Sequence, residues 1–266
     1  MSATAAPTRS RARDLRLALD QVGYAQLSFW LNPVGAAFTV GFSLLFLVLL
    51  GATAGHSRIG FLGNIRVIQY YVPGFMAYGV MSACFTMLAV SLVVRREAGL
   101  LKRARLSPLP TWMMLTGLFG NSLLISVVQV VLVLAVGAVA FGVSMPANPA
   151  ALVVALAVGA TCFSALGVAA STLIPNQDAA GPIASTVFFV LLFLSGLWFP
   201  IRAGSGLATV SGFFPVRHMI VATFSAFDAR PGVTGWAWSD VLVMAIWAVV
   251  GVFVSVRRFR WAPWRG

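Results

Sequence analysis

The sequence predicts an all-α, polytopic membrane protein with six transmembrane helices, an N-terminal interfacial helix and an extracellular re-entrant helical hairpin. Three observations lead there. Of 266 residues, 60% are hydrophobic and only 9% charged, with a mean hydropathy of +0.94; soluble domains carry about 25% charged residues. Six segments, 34–54, 67–94, 112–144, 150–174, 179–201 and 241–256, hold no Asp, Glu, Lys or Arg. Each approaches or exceeds the roughly 20 residues a spanning helix needs, and none alternates as a barrel strand would. The basic residues are also sorted. Arg9, Arg11, Arg13, Arg16, Arg95, Arg96, Lys102, Arg103, Arg105, Arg257, Arg258, Arg260 and Arg265 fall on one side of a six-span layout, and only Arg58, Arg66, Arg202, Arg217 and Arg230 on the other. An excess of Lys and Arg marks the cytoplasm, so both termini are expected inside a bacterial plasma membrane.

Residues 1–33 read as a cytoplasmic tail and an interfacial amphipathic helix. Leu15, Leu19, Val22, Leu27 and Trp30 roughly share a face, Arg13, Arg16 and Asp20 lie toward the other, and Asn32-Pro33 stops the run. Residues 34–266 are expected to form a six-helix transmembrane domain. Its second and third spans are long enough to tilt or protrude. The fourth is dense in small residues, Gly159, Ala160, Ala165, Gly167 and Ser171, which suits close helix packing. The last starts near Trp236. Between the fifth and sixth, 203–227 is apolar but broken by Gly204, Gly206, Gly212 and Pro215. A full span there would invert the C-terminal charge sorting, so a re-entrant hairpin is expected, shielded by protein. Arg202 and Arg217 are expected to reach outer water, with position 212 less accessible than 204 and 217.

Chemistry of several kinds is missing. Lys102 is the sole lysine and follows Leu101, so no phosphate-binding P-loop exists. His56 and His218 lie in no zinc pattern and read as satisfied interfacial histidines. Cys84 and Cys162 sit in apolar runs and form no disulfide framework. No Gly-x-Ser-x-Gly elbow occurs. The chain is expected to hold no catalytic, cofactor-binding or metal residue. Spans without ionisable groups argue against ion coupling.

The connection after the second span is more informative. A short amphipathic helix is expected at about 95–108, helical through Arg105 and stopped by Ser107-Pro108. Glu97 is its single acid, and Leu100, Leu101 and Leu106 are apolar where a solvated loop needs none. Such a helix suits docking on a soluble partner. Glu97, Gly99, Leu106, Ser107, Pro108 and, further on, Gly117 resemble the coupling-helix region of type 2 ABC exporter permeases. Asn176-Gln177-Asp178-Ala179 followed by Ser195-Gly196-Leu197-Trp198-Phe199-Pro200, Phe214-Pro215 before Arg217-His218, and Phe29-Trp30-Leu31-Asn32-Pro33 resemble that family in order and spacing. Leu100 and Leu118 stand where the family often has Thr and Lys. The subgroup most similar is the daunorubicin-resistance kind of antibiotic-export permease. The resemblance implies separate ABC-type ATPase subunits carrying ATP and Mg, a second permease copy or paralogue, and ATPase coupling through Glu97, Gly99, Leu100, Leu101, Lys102, Arg103 and Leu106. It also implies an exit gate at Ser195, Gly196, Phe199 and Pro200. Partners are the ATPase, the second permease and the lipid bilayer, with no nucleic acid.

A cargo path is expected along aromatic faces with a few polar groups: Tyr71, Phe75, Tyr78, Ser82 and Phe85 on the second span, Ser122, Ser126 and Gln129 on the third, and Phe188, Phe189 and Phe193 on the fifth. Helix–helix packing explains each stripe equally well. The expected function is a permease exporting hydrophobic or amphipathic cargo, such as a drug, antibiotic or lipid. The alternatives are an exporter of lipid-linked polysaccharide or teichoic acid, and a scaffold or channel without ATP coupling.

Overall fold

The computed structural model describes residues 11–100, 111–202, 204–230 and 232–258. Helix α1 (Arg11–Trp30) precedes the first span, which is helical from α2 (Pro33–Ala36) through a π-helical segment (Ala37–Gly41) to α3 (Phe42–Ala54). Asn32 opens it, accepting the Gly35 N–H on Oδ1 at 3.1 Å, an N-cap bond ahead of Pro33. A two-stranded turn, β1 (Arg58–Ile59) with β2 (Ile65–Arg66), leads to the second span, α4 (Val67–Met81), a π segment (Ser82–Met87) and α5 (Leu88–Glu97). The remaining spans are α6 (Thr111–Phe141), α7 (Pro149–Ser171), α8 (Gln177–Leu194) and α11 (Trp238–Arg258). Short helices α9 (Gly206–Ser211) and α10 (Pro215–Ser225) occupy the expected hairpin.

Five of these helices are long and apolar enough to cross a membrane; the first span is the shorter apolar helix Thr39–Ala54, extended back to Pro33. Helix ends fall where local chemistry puts them. Asn148 and Asn176 cap the fourth and fifth spans, accepting from Ala151 N and Ala179 N at 3.0 and 2.9 Å. The third span stops at Phe141, before Gly142 at φ 58°. The fifth ends at Leu194 and not at the expected Ile201, because Gly196 takes φ 86° and turns the chain.

The second span is the most buried and the fifth and sixth are the least. It forms the centre of the core, with Ile68, Val72, Phe75, Met76, Met81 and Cys84 almost without exposure. The fourth span approaches it as its small residues predict. A Cβ on Gly167 would meet the Cys84 and Phe85 carbonyl oxygens at 2.8 and 2.9 Å. On the opposite flank, a Cβ on Gly251 of the sixth span would come within 2.9 Å of Ala165 backbone. Helix α1 lies along the start of the third span, with Gln21 and Val22 over Gly117 and Gly120. Its Leu19, Leu27 and Trp30 point away from the bundle and are exposed, an apolar strip that a bilayer interface would cover.

Candidate functional site

Polar contacts gather at the two ends of the second span and in the hairpin. At one end, Arg96 in the last turn of the second span is only 3% exposed. Its guanidinium donates to Ser171 O at 3.0 Å, Ile174 O at 2.6 Å and Pro175 O at 3.2 Å, and its Nε to Glu97 Oε1 at 3.1 Å. These carbonyls are the unpaired C-terminal groups of the fourth span and of the turn leaving it, where a helix presents its negative pole. One side chain thus ties the second span to the end of the fourth and the turn leaving it, just before Gly99 turns the chain at φ 70°. The opposite end of the second span repeats the device: Arg66 donates to Phe141 O and Gly142 O, at 3.4 and 2.9 Å, closing the C-terminus of the third span.

Of the expected coupling residues, Glu97, Gly99 and Leu100 follow directly on this clamp. Glu97 is held by Arg96 and is not a free docking acid, Gly99 forms the turn, and Leu100 is 44% exposed. Leu101, Lys102, Arg103 and Leu106 lie outside the described residues.

The expected cargo faces divide. Tyr71, Phe75, Tyr78, Phe85 and Gln129 are all buried within the chain. Phe75 and Tyr78 have ring centroids 6.2 Å apart and Tyr78 and Phe188 5.5 Å, in a cluster that includes Phe42, Phe46 and Trp198. Gln129 donates to Thr39 O at 2.8 Å. In this conformation these five form a packed interior and no open wall, because the second span is enclosed on every side by its neighbours. Phe189 and Phe193 differ, being 42% and 63% exposed on the outer face of the fifth span. An apolar groove of about 620 Å³ opens elsewhere, between the third, fourth and sixth spans.

At the far end, the second span holds the turn that ends the fifth span, where the exit gate is expected. Tyr70 Oη donates to Gly196 O at 2.6 Å and Tyr71 Oη to Trp198 O at 3.4 Å. Ser195 is buried and accepts from Leu197 N at 3.0 Å, fixing the bend that Gly196 makes. Phe199 is 74% exposed and Pro200 half-buried. The hairpin is then locked to the sixth span. His218 Nδ1 lies 2.6 Å from Asp240 Oδ1, its Nε2 2.9 Å from Gly212 O, and Trp247 Nε1 donates to Phe213 O at 2.9 Å. A carboxylate and a carbonyl both accept, so the imidazolium satisfies both contacts. The Asp240 hydrogen bond accordingly raises the His218 pKa above its ordinary value, outweighing desolvation and the repulsion of Arg217. Arg217 does not reach outward as expected. It turns into the hairpin and donates to Ala208 O and Ser211 Oγ. Gly212, expected to be shielded, is exposed, whereas Arg217 is half-buried.

Sequence pattern gives little sign of the two arginine clamps. Arg96 sits in a basic run that looks solvated, and nothing local marks it as buried. The one hint is its place a turn before a glycine at the end of an apolar span. No group of three or more His, Cys, Asp or Glu able to hold a metal occurs among the described residues. Residues 23–227 match the family model described as ABC-2 type transporter. No curated protein matches the sequence.

Proposed function

The chain belongs to the ABC-2 type transporter family and is a membrane permease subunit, and on that premise we propose that it is the permease half of an ATP-driven exporter. ATP and Mg are bound and hydrolysed on a separate ABC-type ATPase chain. The cargo is hydrophobic or amphipathic, of the drug, antibiotic or lipid class, and leaves through a bacterial plasma membrane with both termini of the permease in the cytoplasm. The observation that supports this reading best is the Arg96 clamp. A segment that docks on a moving ATPase does work only if its displacement reaches the spans. Arg96 fastens the root of that segment to the carbonyls at the ends of the fourth span and its turn, so a push at 97–106 moves the second and fourth spans together. The exposed Phe189 and Phe193 face of the fifth span is then the wall that a second permease copy or paralogue would complete, with cargo passing between copies.

The test is paired substitution in the docking segment. Leu100→Asp and Leu101→Asp should lower transport and ATPase stimulation while leaving membrane insertion intact. Full coupled activity in both variants would place the docking site elsewhere.

A further inference from the structure

The end of the bundle that carries Arg96 holds a second feature that export does not account for. A cavity of about 370 Å³ opens between helix α1, the first span, the second span and the start of the third. Polar side chains interrupt its apolar wall: Ser28, Thr39, Ser82, Thr86, Arg95 and Asn121 line it. Both π-helical segments contribute, Thr39 from Ala37–Gly41 and Ser82 and Thr86 from Ser82–Met87. π-turns make up well under 1% of residues and gather at functional sites. Here two neighbouring helices each widen at the same cavity.

Two of these polar groups lack a hydrogen-bond partner within the chain. Asn121 is 5% exposed, and its Oδ1 has no hydrogen-bond partner; the Thr86 hydroxyl is buried in the same condition. Arg95, half-buried, makes no ion pair or hydrogen bond among the described residues. Among the described residues, no acidic one lines the cavity. An unpaired guanidinium in an apolar setting calls for one negative charge. A buried amide oxygen without a partner calls for a donor, since a buried acceptor left without a hydrogen bond is costly. One anion and one hydroxyl donor together describe a phosphodiester that bears a hydroxylated group. Around the polar groups, Phe29, Met87, Val90 and Leu118 supply apolar wall, and the neighbouring α1 exposes Leu27 and Trp30. That surface suits an amphiphile whose chains stay in the bilayer while its headgroup enters.

We propose that this cavity binds the headgroup of a membrane amphiphile, a monoanionic phosphodiester carrying a free hydroxyl, with its charge on Arg95 and its hydroxyl on Asn121 Oδ1. The site does not depend on the transport reading, because binding is measured on the purified full chain alone. Native mass spectrometry of the delipidated chain should compare phosphatidylglycerol with phosphatidylcholine and phosphatidylmethanol of the same acyl chains, and with free glycerol phosphate. Phosphatidylglycerol should bind about tenfold tighter than phosphatidylcholine, the ratio that one charge-assisted hydrogen bond supplies. It should also bind more tightly than phosphatidylmethanol, which has the charge and lacks the hydroxyl. Arg95→Gln should bring phosphatidylglycerol to the level of phosphatidylcholine, and Asn121→Ala should remove the preference over phosphatidylmethanol. Arg202→Gln, at the other end, should change neither. Equal binding of the three lipids by the wild-type chain would overturn the proposal without reference to any variant. So would undiminished binding by Arg95→Gln, and so would free glycerol phosphate binding as tightly as the lipid, which would assign the cavity to a soluble anion.

Discussion

Arg96 replaces three sets of water contacts with three carbonyls, and its burial makes those bonds costly to lose. Hydrogen bonds to a charged group contribute about 1.5–3 kcal/mol, and stranded buried acceptors add to the loss. Arg96→Met should therefore destabilise the chain by about 2–3 kcal/mol, seen as a lower melting temperature in detergent. Arg96→Lys should fall between, because an ammonium cannot fork to carbonyls as a guanidinium does. His218 supplies a pH prediction. Its folded pKa is raised by the hydrogen bond to Asp240 on the sixth span, with Arg217 on its own helix opposing. A raised folded pKa contributes stability that is fully present below the unfolded value of about 6.5 and is lost as pH rises through the folded value. The hairpin should hold at mildly acidic pH and loosen as pH climbs above neutral. Melting scans across that window should show the decline in the wild type and a flat profile in His218→Gln. An equal slope in both would sever the hairpin's stability from this pair.

At the scale of elements, the second span organises the rest, and its contacts run through backbone. The fourth span reaches it at the π segment, where Gly167 leaves no room for a methyl group beside the Cys84 and Phe85 carbonyls. Gly167→Ala should cost about 1–3 kcal/mol through overpacking. Gly181→Ala, in the fifth span where an added methyl would meet nothing within 4 Å, should be neutral or stabilising by up to about 1 kcal/mol. Thermal stability of the two variants, side by side, checks this; equal losses would mean that the fourth span sits farther from the second than the Gly167 contacts require. Much of this layer is legible in the sequence. Apolar runs mark the spans, Asn148-Pro149 and Asn176 mark two helix starts, and the glycine and alanine density of the fourth span marks its close packing. The partner of each face is not legible. The Tyr71, Phe75, Tyr78 and Phe85 stripe has the same periodicity whether it lines a path or fills a core. Here burial by neighbours far along the chain decides for the core. The π segments leave no trace either, since 37–41 and 82–87 have ordinary helical composition. Arg95 and Arg96 are adjacent and chemically identical in sequence. One lines a cavity and the other clamps a helix end, a difference set only by the helical turn between them.

For the whole molecule, the proposed division of labour puts ATP hydrolysis on another chain. The purified chain should hydrolyse no ATP, because its sole lysine, Lys102, follows Leu101 and belongs to no glycine-rich loop. Measured hydrolysis free of contaminating ATPases would refute that. The charge sorting predicts that a reporter fused after Gly266 is active only as a cytoplasmic reporter. An ATPase is proposed to dock on the segment rooted at Arg96. The most direct measurement places a photocrosslinking amino acid at Leu100, which is exposed just beyond the Gly99 turn, in the full chain within its native membrane. Mass spectrometry then identifies what is captured, with Gly204 at the opposite end as the comparison position. An ABC-type ATPase should crosslink from position 100 and none from 204. An ATPase captured from 204, or none from 100 while the crosslinker there remains reactive, would contradict the claim.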